Sequence, residues 1–223
     1  MAMSPSEYDN WYATQRGKWI GDEEYRLIAS MLAPRQNETM LDVGCGTGYF
    51  TRRFSADGVA KDVVGSDADL DMLRFAAEHS PDTVRFVAAD ARKLPFRDKS
   101  FDLVISIAAL CFIPEEKTTL REMLRVARRK VVLGLLNRRS MLYFLKGRHG
   151  GKGGYRGAHW HTPSEVVRLF RGLKQGKVEW RTIIVLPTGN KRWKQKLEAR
   201  LRRWFPGWGA FISISTMVRH VQT

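Results

Sequence analysis

Three short stretches place a carboxylate next to residues that leave the backbone open: Leu41-Asp42-Val43-Gly44-Cys45-Gly46-Thr47-Gly48, Gly65-Ser66-Asp67 and Ala89-Asp90-Ala91. Glycines at alternate positions permit a sharp turn and let a ligand approach without Cβ atoms in the way. The first stretch reads Asp-x-Gly-x-Gly-x-Gly. A dinucleotide fingerprint would need its third glycine where Tyr49 stands, and a phosphate-cradling loop would need a Gly-Lys-Ser/Thr that the chain lacks. Asp42 would repel a pyrophosphate but attract a cation. Asp67 can take both hydroxyls of a ribose, and Asp90 can accept from an adenine amino group. The chemistry these residues suit is the binding of an adenosine that carries positive charge.

Such residues need a scaffold that brings them to one edge. The chain alternates short apolar runs with helical segments, which predicts a parallel sheet covered on both faces. Strands are expected at Thr39–Val43, Val63–Asp67, Val84–Ala89, Phe101–Ile107 and Lys130–Asn137, with helices ending near Ala56 and His79 and another over about Pro114–Arg128. Each acidic motif then falls at or just after a strand's carboxyl end. Tyr8–Leu32 reads as two short helices ahead of the first strand. In the last third, Thr162-Pro163-Ser164-Glu165 is a capping box with proline at the first helical position. It opens a helix to about Arg171. Val178–Leu186 and Gly209–Val218 read as two late strands forming a hairpin-like edge, with a basic helix over Asn190–Phe205 between them.

The motifs together resemble the class I S-adenosylmethionine-dependent methyltransferases, in the type 11 subgroup that includes the ubiquinone and menaquinone biosynthesis methyltransferases. The residues that carry the resemblance are Leu41 to Gly48, Val64-Gly65-Ser66-Asp67 with Met72-Leu73, Phe86 to Ala91 with Leu94-Pro95-Phe96, and Phe101-Asp102-Leu103-Val104-Ile105-Ser106. They lie within residues 39–137, and the tail matches more loosely. The resemblance implies an α/β, Rossmann-like, seven-stranded, mostly parallel sheet with helices on both faces and the last strand antiparallel. It implies one domain: a helical cap over 1–36, a cofactor-binding core over 37–137, and a substrate-side loop, basic helix and final strands over 138–223. The implied cofactor is S-adenosyl-L-methionine, with S-adenosyl-L-homocysteine as product. By position, Asp42 and the backbone of Gly44, Cys45, Gly46 and Gly48 would hold its methionine part. Asp67 with Ala68 would bind the ribose, Asp90 and the Ala91 amide the adenine, and Ser106 would sit near the methyl group. Tyr12, in the N-terminal segment, would cap the site. Many relatives have Pro-Gly-Gly before the fifth strand, where Arg128-Arg129-Lys130 stands here.

Methyl transfer from a sulfonium is an in-line displacement, and a base is required only where the acceptor must lose a proton. His159 and His161 are the candidates for a base. The bland reading places His161 in packing at a helix start and His159 in solvent, with no fixed partner for either. No carboxylate or cysteine lies at ligand spacing from His149, His159 and His161 in the sequence, so no metal site is assigned. Trp11, Tyr12 and Trp19 read either as a lid or as helix packing. Cys45 reads as a small filler of the glycine loop and Cys111 as core.

The chain has 223 residues with 43% hydrophobic and 27% charged, which suits one globular domain. Two cysteines exclude a disulfide scaffold and a four-cysteine zinc site. No apolar run is long enough to span a membrane and no signal peptide is visible, so a cytoplasmic protein is expected. The net charge of +15 is uneven: residues 1–100 carry 13 basic and 16 acidic side chains, residues 101–223 carry 25 and 7. The basic half faces either an anionic partner or only solvent. Trp193, Leu197, Leu201 and Trp204-Phe205 recur at helical spacing among basic residues, which fits a helix lying on an anionic membrane or one packed on the domain. The expected activity is methyl transfer to a small-molecule acceptor, lipid-soluble in one version. Two alternatives stand beside it: an RNA methyltransferase that uses the basic half, and a non-catalytic cofactor-binding protein that docks on membrane or nucleic acid. Against the RNA reading, Ser106-Ile107-Ala108-Ala109 stands where an Asp/Asn-Pro-Pro-aromatic motif would be. The oligomeric state is not legible in the sequence.

Overall fold

The computed structural model describes residues 3–173, 175–186 and 192–218. Its sheet contains β1 (Thr39–Val43), β2 (Asp62–Asp67), β3 (Arg85–Ala88), β4 (Phe101–Ile107), β5 (Ala127–Leu136), β6 (Gln175–Ile183) and β7 (Phe211–Val218). The strand order is β3-β2-β1-β4-β5-β7-β6. The pairs β1–β2, β1–β4, β2–β3 and β4–β5 are parallel, and β7 runs antiparallel to both β5 and β6. The expected architecture is therefore present, including the antiparallel last strand and the pairing of the two late strands.

Residues alternate across a strand, so a strand apolar at nearly every position must be covered on both faces. β4 is such a strand: Leu103, Val104 and Ile105 are fully buried. The helices around the sheet are α1 (Pro5–Ala13), α2 (Gln15–Leu32), α3 (Tyr49–Ala56), α4 (Leu70–Glu78), α5 (Glu116–Val126), α6 (Pro163–Leu169) and α7 (Arg192–Trp204). Apolar residues of α1, α2, α3, α5 and α6 meet the sheet in one core that includes Ile28, Leu32, Phe54, Leu120, Met123 and Phe211. The expected capping box is made: the Glu165 amide donates to Thr162 Oγ1 at 3.3 Å and the Thr162 amide to Glu165 at 2.8 Å. Ser4, Pro5 and Glu7 build an equivalent box at the start of α1.

Several boundaries differ from expectation, β6 among them: it spans Gln175–Ile183 and not Val178–Leu186. α2 is a full helix of 18 residues, not a short one. β5 begins three residues early, because Arg128 and Arg129 are extended and paired: Arg128 meets Asp102, and Arg129 meets Glu38 with both side chains nearly buried. After β4 the chain makes a 3₁₀ turn over Ala109–Phe112 before α5 begins at Glu116. Of the basic helix, Asn190 and Lys191 lie outside the described residues, as do the side chains of Arg192, Trp193, Lys194 and Lys196.

Candidate cofactor and acceptor groove

The carboxyl ends of β1, β2, β3 and β4 open onto a groove of about 1190 Å³, somewhat above the roughly 300–1,000 Å³ usual for small-molecule sites. The loop after β1 forms its floor. The Gly44 and Cys45 amides both donate to the Ser66 carbonyl, at 2.7 and 3.0 Å, which folds the loop against the end of β2. Gly44 has φ +73°, and a Cβ there would lie 2.2 Å from Ala109 Cβ. Gly46 has φ +54°, and a Cβ there would enter open space.

Asp67 closes β2 and is held by its neighbours: Oδ2 accepts from the Gly46 amide at 2.8 Å and Oδ1 from the Asp69 amide at 3.0 Å. The carboxylate is thus oriented before any ligand arrives and keeps lone pairs free for hydroxyl donors. Asp90 follows β3 and is gripped by Arg92, whose Nη2 lies 2.7 Å from Oδ2. These bonds hold the Asp90 carboxyl below the usual carboxylate range. The acceptor side is apolar and comes from the end of β4 and the turn beyond it, through Ile107, Ala108, Ala109, Phe112 and Ile113. Gly153, Gly154 and Arg156, in the glycine-rich stretch Lys146–Gly157, complete that wall, and Met3, Glu7 and Tyr8 of the N-terminal segment cover the groove.

Of the residues expected at a cofactor, Gly44, Gly46, Asp67, Ala68, Asp90 and Ala91 line the groove. Asp42, Cys45, Gly48, Ser106 and Tyr12 are not in its wall. Asp42 is 2% exposed and accepts from Thr51 Oγ1 at 2.7 Å. Burial pushes its carboxyl up to about 7, although the Thr51 hydroxyl pulls the other way. Cys45 is partly buried, and burial raises its thiol far above the usual range. Ser106 is fully buried with no partner for its hydroxyl, because strand alternation turns it inward between its neighbours. Tyr12 stacks on Tyr49 at 3.8 Å between ring centres, so it packs α1 onto α3 while Tyr8, one turn earlier, meets the groove. Trp11 and Trp19 are partly buried packing as well. Cys111 is core: its sulfur accepts from the Leu136 amide and its thiol is pushed up to about 12 by burial.

The histidines have a partner that the sequence did not reveal. Glu116, at the start of α5, points Oε1 at His159 Nδ1 (2.6 Å) and at His161 Nε2 (2.8 Å). The expectation that no carboxylate stands by them is overturned, because contact across 43 and 45 positions leaves no spacing signal in the sequence. His161 is 1% exposed and bridges to the end of β5, its amide donating to the Leu136 carbonyl at 2.9 Å. His159 is exposed, and its amide donates to the Cys111 carbonyl at 2.7 Å. The extended run puts both imidazoles on one side and Trp160 on the other, against Tyr143 and Tyr155. Burial works to raise the Glu116 carboxyl, but the bonds and charges of the two imidazoles outweigh it, and its pKa is lowered.

A glycine floor, two carboxylates at adjacent strand ends and an apolar far wall fit an adenosine with a reactive group extended toward β4. Comparisons with known proteins agree. Residues 41–134 match the family model described as a methyltransferase domain. The chain is 38% identical to a demethylmenaquinone methyltransferase of Renibacterium salmoninarum over 103 residues, covering 46% of this chain and 42% of that protein. It is 36% identical over 107 residues to a ubiquinone/menaquinone biosynthesis C-methyltransferase of Ectopseudomonas mendocina, covering 45% and 42%. The matched region thus spans about two-fifths of the length of these relatives. Among solved structures, a SAM-dependent methyltransferase of Thermotoga maritima superposes with TM-score 0.74 at 21% identity, over 96% of this chain and 95% of that one. Residues 41–134 therefore match a methyltransferase domain, and the chain has the fold of solved S-adenosylmethionine-dependent methyltransferases.

Proposed function

We propose that this chain binds S-adenosyl-L-methionine in the groove at the carboxyl ends of β1 to β4 and transfers its methyl group to a small organic acceptor. The observation that carries this reading is the pre-oriented Asp67 carboxylate, fixed by the Gly46 and Asp69 amides at the rim of the glycine floor. The cofactor supplies an electrophilic methyl on a sulfonium. The chain's own residues do the rest. Asp67 takes the ribose hydroxyls, Asp90 and the Ala91 amide take the adenine edge, and the loop from Gly44 to Gly48 leaves room for the methionine part. Ile107, Phe112 and Ile113 give the acceptor an apolar wall, and Met3 and Tyr8 face it from the other side. That wall suits an aromatic or lipid-soluble acceptor of the kind named for the quinone-biosynthesis relatives.

A docking surface accompanies this reading. Trp204, Phe205 and Trp208 are 78%, 44% and 54% exposed. They stand beside the exposed Arg202 and Arg203. Aromatic and basic residues on one segment favour contact with an anionic lipid surface.

The test is transfer from methyl-labelled S-adenosyl-L-methionine into a cell extract, followed by separation of organic-soluble, small polar, RNA and protein fractions. Label in the organic-soluble or small polar fraction supports the reading. Label in RNA that ribonuclease removes would make the basic half the substrate site. Cofactor binding with no label in any fraction would favour the non-catalytic alternative.

A further inference from the structure

Glu116, His159 and His161 serve no purpose in the reading above, and none of them lines the groove. We infer that they form a binding site for one divalent transition-metal ion of the zinc class. Their ligand atoms, Glu116 Oε1, His159 Nδ1 and His161 Nε2, all lie within 4.8 Å of one another. Among the described residues this is the one group of three such side chains that converges so closely.

A merely structural fastening explains the arrangement poorly. His161, already fixed by backbone bonds to the end of β5, would suffice to anchor Glu116. His159 has a side chain 60% exposed, and an exposed hydrogen-bonded pair gains little over the entropy of ordering it. Yet both imidazoles point at the same oxygen rather than dividing between the two. Convergence of two imidazole nitrogens and one carboxylate oxygen is a metal donor set. Two nitrogens with one oxygen suit zinc, cobalt or ferrous iron, not the all-oxygen shells of calcium or magnesium. Three protein ligands leave a position open to water or another oxygen donor.

Bonds of about 2.0–2.1 Å in a tetrahedral arrangement hold ligand atoms roughly 3.3 Å apart. The contacts now at 2.6 and 2.8 Å must therefore open by about half an ångström to seat an ion. His161 is clamped by the bridge to Asn137 and cannot supply that movement. His159 can: it is exposed and lies two residues after Gly157, a glycine at φ +76°.

The test uses the full chain, stripped with a chelator and titrated with Co²⁺, whose visible absorption reports coordination. Zn²⁺ is then added as a competitor. The expected result is one Co²⁺ per chain, with an absorption band typical of four or five ligands that Zn²⁺ abolishes. His159→Ala, which removes an exposed side chain and leaves the core intact, should weaken binding by at least about tenfold. Glu116→Gln should do the same, and His79→Ala should change nothing. The absence of saturable Co²⁺ binding would overturn the inference, as would binding that survives both His159→Ala and Glu116→Gln. Because the readout is metal binding, its failure leaves the methyl-transfer reading untouched, and the reverse also holds.

Discussion

Gly44 meets two constraints at once. Its φ of +73° favours glycine, and an added Cβ would strike Ala109 Cβ at 2.2 Å. Gly44→Ala should lower Tm and abolish cofactor binding in calorimetry. Adding Ala109→Gly should recover part of the stability, leaving the left-handed backbone cost of about 1–2 kcal/mol. Asp67→Ala should weaken cofactor binding by about 1–3 kcal/mol through lost charged hydrogen bonds, and unchanged affinity would refute the ribose assignment. Asp42 sets a pH dependence. Its folded pKa, near 7, lies above the ordinary aspartate value, so the folded state keeps a proton that the unfolded chain has released. The group's stabilising contribution is complete below about pH 4, falls as pH rises from about 4 to 7, and is flat beyond, a span of a few kcal/mol. Thermal melts of Asp42→Asn should show a flatter profile over that range than the parent. At this scale the sequence revealed what lies at strand ends, since Asp67 closes β2 and Asp90 stands two residues after β3. Strand alternation on β4 turns the Ser106 side chain inward, away from the groove wall, and the sequence could not show Glu116, whose partners are distant in the chain.

The N-terminal helix α1 depends on a few contacts. Tyr12 stacks on Tyr49, and Asp9 pairs with Arg52 at 2.8 Å. Its start is capped by Ser4 and Glu7. Tyr12→Ala should free α1, so that amide exchange over residues 5–13 accelerates while that of β1, β2 and β4 stays slow, and cofactor affinity should fall because Met3 and Tyr8 move with the helix. Exchange that remained unchanged in α1 would show that other contacts hold the cap. The elements themselves were largely legible. β1 and β4 lie where the apolar runs place them, and the Thr162 capping box forms as the motif predicts. The early start of β5 was not legible. Arg128 and Arg129 read as the end of a helix and its exit until Asp102 of β4 and Glu38, just ahead of β1, pair with them.

Taken whole, the molecule separates its charges: the acidic groove motifs come from the first hundred residues, and the excess of positive charge lies beyond them. Binding to vesicles rich in anionic lipid should weaken steeply with salt, as it does for basic surfaces. Trp204→Ala with Trp208→Ala should reduce that binding without altering cofactor affinity. Binding insensitive to both salt and these substitutions would remove the docking surface from the reading. The strand order also has a consequence in time. β7 lies between β5 and β6, yet it begins at Phe211, while β5 ends at Leu136. On a ribosome adding roughly 5–20 residues per second, the apolar edge of β5 waits about 4 to 15 s for its neighbour. Through that interval Val131 to Leu136 offers an unpaired ladder to any other nascent chain. The late arrival of the strand that pairs with this edge thus makes the interval before it a period of exposure to aggregation.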